Sequence, residues 1–127
     1  MMEKQSPALF TLFGIKNCDT MKKARRFLDN QQINYHYHDY RVNGLSDETV
    51  QCFIDTLGWT PLINMRGTTW RKLAAEEKAQ IDNPQAAKTL MLAQPAVIKR
   101  PLLVAADGSM LLGFNENDYQ QFIQEKS

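Results

Sequence analysis

Cys18 is the residue in this chain best placed to do chemistry. Before it runs an apolar, strand-like stretch, Leu9 to Phe13, broken at Gly14. After it, Met21, Ala24, Phe27 and Leu28 keep the three-and-four spacing of one helix face, while Lys22, Lys23, Arg25 and Arg26 fall on the others. The pattern predicts a strand, a short turn and an amphipathic helix that begins at or just before Cys18. The first turn of a helix carries N–H groups that no intrahelical carbonyl takes up, and the positive end of the macrodipole lies there too. Both favour thiolate over thiol. Lys16 adds a positive charge on the other side of the sulfur and Asp19 opposes it. The amides of Asn17 to Thr20 complete an anion-binding nest, with Asn17, Asp19 and Thr20 flanking the cysteine. A free cysteine that merely packs is the alternative, but a strand–turn–helix hinge is the usual mounting for a reactive thiol.

Other chemistry-bearing residues are weaker candidates. Helical phase puts Cys52 on the polar side of a second helix, as a surface thiol; a resolving role would require it to reach Cys18. His36 and His38 alternate along a strand-like stretch without ligand-like companions, so they read as ordinary strand residues and no metal is expected. Two cysteines make neither a disulfide framework nor a metal cluster, which fits a reducing compartment.

The elements that must position Cys18 follow from the rest of the chain. The 127 residues suit a single domain, 1–127, large enough to bury a core unaided. With 43% hydrophobic and 23% charged residues and a formal net charge of +1, no global field favours nucleic acid or an anionic membrane. No apolar run approaches the roughly 18 residues of a membrane span. Met1 to Pro7 reads as a loose polar leader without the apolar region of a secretory signal, so the chain is expected to be cytoplasmic.

A second strand is predicted over Ile33 to Tyr40, and Ser46 caps a helix running to about Leu57 that Gly58 ends. Trp59-Thr60-Pro61 breaks the pattern before an irregular, site-like stretch from Leu62 to Gly67. Thr68 or Thr69 is read as the cap of a short helix bearing Trp70, Leu73 and Ala74. Asn83-Pro84 starts another, with Ala86, Ala87, Leu90 and Met91 on its apolar face. After Pro95, Lys99-Arg100-Pro101 leads into a strand over Leu102 to Ala105. Asp107-Gly108 turns it into an antiparallel partner, Met110 to Leu112, and Asn115 caps a last helix with Tyr119, Phe122 and Ile123 inward. The order βαβ, helices, ββα is that of an α/β, thioredoxin-like fold with a mixed four-stranded sheet. Its halves are 8–42 and 97–124, with a helical insertion at 45–95.

Three segments, Gly14-Ile15-Lys16-Asn17-Cys18-Asp19-Thr20, Arg66-Gly67-Thr68-Thr69-Trp70-Arg71 and Lys99-Arg100-Pro101-Leu102, resemble the arsenate reductase-like family that includes ArsC, the regulator Spx and the YffB proteins, and are most like the YffB branch. The resemblance spans Leu9 to Phe122. It implies that Cys18 is the nucleophile, that Arg66 and Arg100 bind an oxyanion or a thiol partner, and that Pro101 is the cis-proline such folds place beside the cysteine. Arsenate reductases of this type carry histidine four residues before the cysteine, where this chain has Gly14, and a third arginine where Gly113 falls. Spx regulators carry a second cysteine where Met21 stands. A lone cysteine needs an external thiol to turn over, and glutathione is the cytoplasmic one. The reading is therefore a glutathione-dependent thiol reductase or oxidoreductase acting on an unknown thiol, disulfide or oxyanion, with no bound cofactor and as a monomer. An Spx-like regulatory module that binds another protein, and arsenate reduction proper, are the alternatives.

Overall fold

The computed structural model describes residues 10–16 and 18–126. The expectations for residues 1–7, Leu9 and Asn17 lie outside the described residues. Two compact units are present, one formed by residues up to Asp39 together with those from Arg100 onward, the other by Tyr40–Lys99.

The first unit holds the sheet. Strand β1, Phe10–Gly14, buries Phe10, Leu12 and Gly14 and half-buries Thr11 and Phe13, the alternation of a pleated strand. Helix α1, Asp19–Asn30, buries Met21, Ala24 and Leu28, and strand β2 is Tyr35–Asp39. β1 and β2 run parallel, with Phe10 opposite Tyr35 and Gly14 opposite Asp39. Parallel neighbours need a crossover, and α1 supplies it. Strand β3, Leu102–Ala105, pairs antiparallel with β1, and β4, Met110–Leu112, pairs antiparallel with β3, giving the order β2-β1-β3-β4. Gly108, at φ +92°, closes the β3–β4 turn. Asn115 caps the last helix through its side chain, which accepts from the Asp118 amide at 3.1 Å. That helix, Glu116–Lys126, sends Tyr119 and Ile123 into a core shared with Phe10, Leu12, Met21, Ala24, Leu28, Leu103 and Ala105. The fold is the α/β, thioredoxin-like one that the periodicities predict.

The second unit is helical and contains α2 (Tyr40–Asn43), α3 (Asp47–Leu57), α4 (Trp59–Leu62), α5 (Thr68–Arg71), α6 (Ala75–Gln80) and α7 (Pro84–Ala93). The last helix of the first unit is accordingly α8. The expected caps of α3 and α7 are present: the Thr49 amide donates to Ser46 Oγ at 3.1 Å and the Ala86 amide to Asn83 Oδ1 at 2.9 Å. Three expectations are corrected. Tyr40 leaves the strand and opens a one-turn helix, and Trp59-Thr60-Pro61 forms a helical turn instead of only breaking one. Gly67, not Thr68 or Thr69, stands at the N-cap of α5, which ends before Leu73 and Ala74 because the Ala74 amide turns to Glu77 Oε1 at 3.0 Å and starts α6.

Gly14 and Met21 form one packing unit. A Cβ at position 14 would run into the Met21 Sδ and Cε atoms, and Met21 is fully buried. The glycine is there for close approach. Gly14→Ala is expected to cost about 1–3 kcal/mol by overpacking, and Met21→Ala should relieve most of that cost. Urea unfolding of the two single variants and the double variant reads the coupling, and additive losses would contradict it. Asp107 accepts from the Ser109 amide at 2.9 Å and from Lys126 Nζ at 3.1 Å, and these bonds, the backbone one foremost, hold its carboxyl down to about 2. A depressed carboxyl stabilises the fold above its ordinary value, near about 3.9, and that contribution is lost as pH falls through about 2. The difference in urea midpoint between wild type and Asp107→Asn should therefore shrink between pH 4 and pH 2.

Candidate functional site

Cys18 occupies the N-cap of α1 in extended conformation, at φ −110° and ψ 127°, and its side chain makes no capping hydrogen bond. The first intrahelical bond runs from the Lys22 amide to the Cys18 carbonyl at 3.0 Å, so the amides of Asp19, Thr20 and Met21 precede the ladder. The sulfur is half-buried, packed on the edge of the sheet-unit core. A thiol in this position is accessible, lies next to uncommitted N–H donors and sits at the positive end of a twelve-residue helix.

The turn that delivers Cys18 is fastened from β2. The Lys16 amide donates to Asp39 Oδ2 at 3.1 Å, and the Tyr37 hydroxyl donates to the same oxygen at 3.3 Å. Asp39 is only 5% exposed, the one buried charged side chain among the described residues. Burial, then the charge and hydrogen bond of Asp39, with a smaller push from Cys18, raise the Tyr37 phenol above its ordinary value. Tyr37 therefore stays a neutral donor to Asp39.

The sequence-derived site residues fall in three places. Lys16, Cys18, Asp19 and Thr20 share the β1–α1 turn, where the Lys16 and Asp19 side chains are exposed. Arg100 and Pro101 precede β3, and the peptide bond between them is cis. The pairing of Phe13 with Leu102 continues to set Pro101 opposite Gly14, at the same end of the sheet as the Cys18 turn. Pro101 is buried, and its carbonyl accepts from the Gly113 amide at 2.8 Å. Arg66 belongs to the helical unit. Its amide donates to Asn64 Oδ1 at 3.3 Å, the Gly67 amide donates to the Asn64 carbonyl at 3.1 Å, and a Cβ on Gly67 would press on the Asn64 side chain. This tight turn leaves the Arg66 side chain exposed. Cys52 is exposed on α3, and both cysteines are free thiols.

The model of the ArsC family matches residues 13–122. The chain belongs to that family. Among solved structures it is similar to a YFFB protein, with 43% identity, 88% of this chain and 96% of the other covered, and a TM-score of 0.82. It is equally similar in sequence to an ArsC-related protein from Brucella melitensis, at 43% identity over 96% and 99% of the two chains with a TM-score of 0.74. The global transcriptional regulator Spx of Streptococcus pneumoniae is 23% identical over 91% of this chain and 86% of its own. Against the ArsC pattern, this chain's departures have structural reasons. Met21, where Spx has its second cysteine, fills the space above Gly14, where arsenate reductases have histidine. Gly113, at the place of their third arginine, has φ +85°, a conformation that a side chain disfavours.

Sequence reasoning missed Asp39 and Tyr37. The available signal was the Tyr-His-Tyr-His-Asp alternation, which puts Tyr35, Tyr37 and Asp39 on one face of β2 and the histidines on the other. His38 packs against Phe13 with the rings tilted by 43° and their centroids 4.9 Å apart. Asp39→Ala removes the acceptor of both the Lys16 amide and the Tyr37 hydroxyl and should destabilise the chain by about 1–3 kcal/mol, whereas Tyr37→Phe should cost about 0.5–1.5 kcal/mol. Urea denaturation checks both, and a double-mutant cycle that shows no coupling would contradict the shared hydrogen bond.

Proposed function

We propose that this chain is a cytoplasmic, glutathione-dependent thiol oxidoreductase with Cys18 as its single nucleophile. The observation that carries the reading is the placement of a half-buried thiol at the N-cap of a long helix with no capping bond of its own. The Cys18 thiolate attacks one sulfur of a disulfide, forming a mixed disulfide on Cys18 and expelling the other sulfur as a thiolate. A first glutathione thiolate attacks the mixed disulfide, restoring Cys18 and carrying the remaining substrate sulfur away as a glutathione disulfide. A second glutathione exchanges with that product, so one disulfide is reduced to two thiols as two glutathiones become glutathione disulfide. Arg66 and Arg100 supply planar guanidinium forks for carboxylate or oxyanion groups. Pro101 and the nest at Asp19 and Thr20 shape the space at the sulfur, and the enzyme acts as a monomer without a bound cofactor.

Likeness to Spx favours a second reading, in which the fold docks on another protein and Cys18 is a sensor or vestige. Met21 in place of a second cysteine weighs against a dithiol switch of that kind. Arsenate as the substrate is a third reading, supported by Arg66 and Arg100 and opposed by Gly14 and Gly113. Glutathione-dependent reduction of 2-hydroxyethyl disulfide separates them. Cys18→Ser should lower the rate by roughly a hundredfold or more, and Cys52→Ser should leave it within about twofold. A wild-type rate no greater than that of Cys18→Ser would refute the oxidoreductase reading. Arsenate reduction in the same assay would favour the third.

A further inference from the structure

Arg25 lies on α1 seven residues after Cys18, close to two full turns on and therefore about 10 Å along the helix on nearly the same face. It is neither of the arginines that the family pattern marks. Its guanidinium carbon stands 4.3 Å from the centroid of the Tyr37 ring, and its Nε donates to the Tyr35 hydroxyl at 3.4 Å. Tyr35 and Tyr37 share one face of β2, and Tyr37 is itself fixed by its hydrogen bond to the buried Asp39. A chain of contacts thus runs from the buried carboxylate through the phenol to the guanidinium. It holds an otherwise flexible arginine over an aromatic platform.

We propose that Arg25, seated on Tyr37 and held by Tyr35, is the carboxylate-binding residue of a co-substrate subsite beside Cys18. The Nε of Arg25 is engaged by Tyr35, which leaves the two Nη groups, and the exposed side chain presents them to solvent as the fork that suits a carboxylate. Holding the guanidinium in advance reduces the ordering cost when a ligand arrives. The backbone positions of Cys18 and Arg25 lie about 10 Å apart along α1, and a ligand that joins a thiol to a carboxylate suits the two. A peptide-sized thiol with a carboxylate several bonds from its sulfur spans the distance. Asp29, one turn further along α1, is the nearby charge that such a carboxylate has to compete with.

This inference deepens the proposed thiol chemistry, and its test does not require that chemistry. S-methylglutathione keeps both carboxylates but has no thiol to exchange, so its binding can be followed by calorimetry or amide chemical shifts whether or not Cys18 is a nucleophile. Arg25→Ala is expected to weaken S-methylglutathione binding about tenfold, and Arg25→Lys, which keeps the charge but loses the fork, should recover only part of it. The diester of S-methylglutathione should bind wild type and Arg25→Ala equally weakly. Absence of binding to wild type, or equal affinities of wild type and Arg25→Ala for the diacid, would overturn the assignment even if Cys18 still exchanges disulfides. A normal Arg25-dependent affinity combined with an inert Cys18 would sustain the subsite and sink the oxidoreductase reading.

Discussion

A carboxylate taken out of water must be matched by donors or it neutralises, and Asp39 meets that constraint by drawing in the Lys16 amide and the Tyr37 hydroxyl. The first of these bonds ties the end of β2 to the turn after β1, two segments 23 residues apart in sequence. The turn is thereby held where α1 can start at Asp19 and Cys18 can take the extended N-cap conformation. The position of the thiol thus depends on a bond made by neither the strand nor the helix that flank it. The same carboxylate orients Tyr37, which in turn supports Arg25.

Around that anchor the sheet does the remaining positioning. β1 lies in the middle, parallel to β2 and antiparallel to β3, so the C-terminal ends of β1 and β2 meet the N-terminal end of β3. The Cys18 turn, Asp39 and the Arg100–Pro101 segment consequently gather at one end of the sheet. Ligands of open α/β sheets characteristically bind outside the strand ends, where loops from several strands converge. In this chain Cys18 is the one cysteine at that end of the sheet, and Met21 packs on Gly14 at the position a dithiol motif would need.

Much of this was legible in the residues. The period-two run ending at Gly14, the helix spacing from Met21 and the Asp107-Gly108 turn are local signals, and each element formed within a residue or two of its expected limits. Cys18 was identifiable because it sits where two periodicities change. The errors cluster where local chemistry is ambiguous: Pro61 is as compatible with a helical turn as with a break, and Gly67 took the cap that two threonines offered. Asp39, Tyr37 and Arg25 were not found because their meaning lies in pairing. An aspartate at the end of a strand is ordinarily solvated, and only the register of β2 against β1 brings it under Lys16. Arg25 looks like any charge on the polar face of an amphipathic helix until Tyr35 and Tyr37 are placed opposite it.

On the proposed reading, the fold and not the amino acid alone makes Cys18 reactive. The direct measurement is the rate of alkylation by iodoacetamide at neutral pH for Cys18 and Cys52 separately, resolved by peptide mapping, in native buffer and in concentrated urea. Native Cys18 is expected to react roughly tenfold or more faster than Cys52, although Cys52 is the more exposed thiol, and urea is expected to bring the two rates together. Equal rates in the native protein, or an advantage for Cys18 that persists after unfolding, would contradict it.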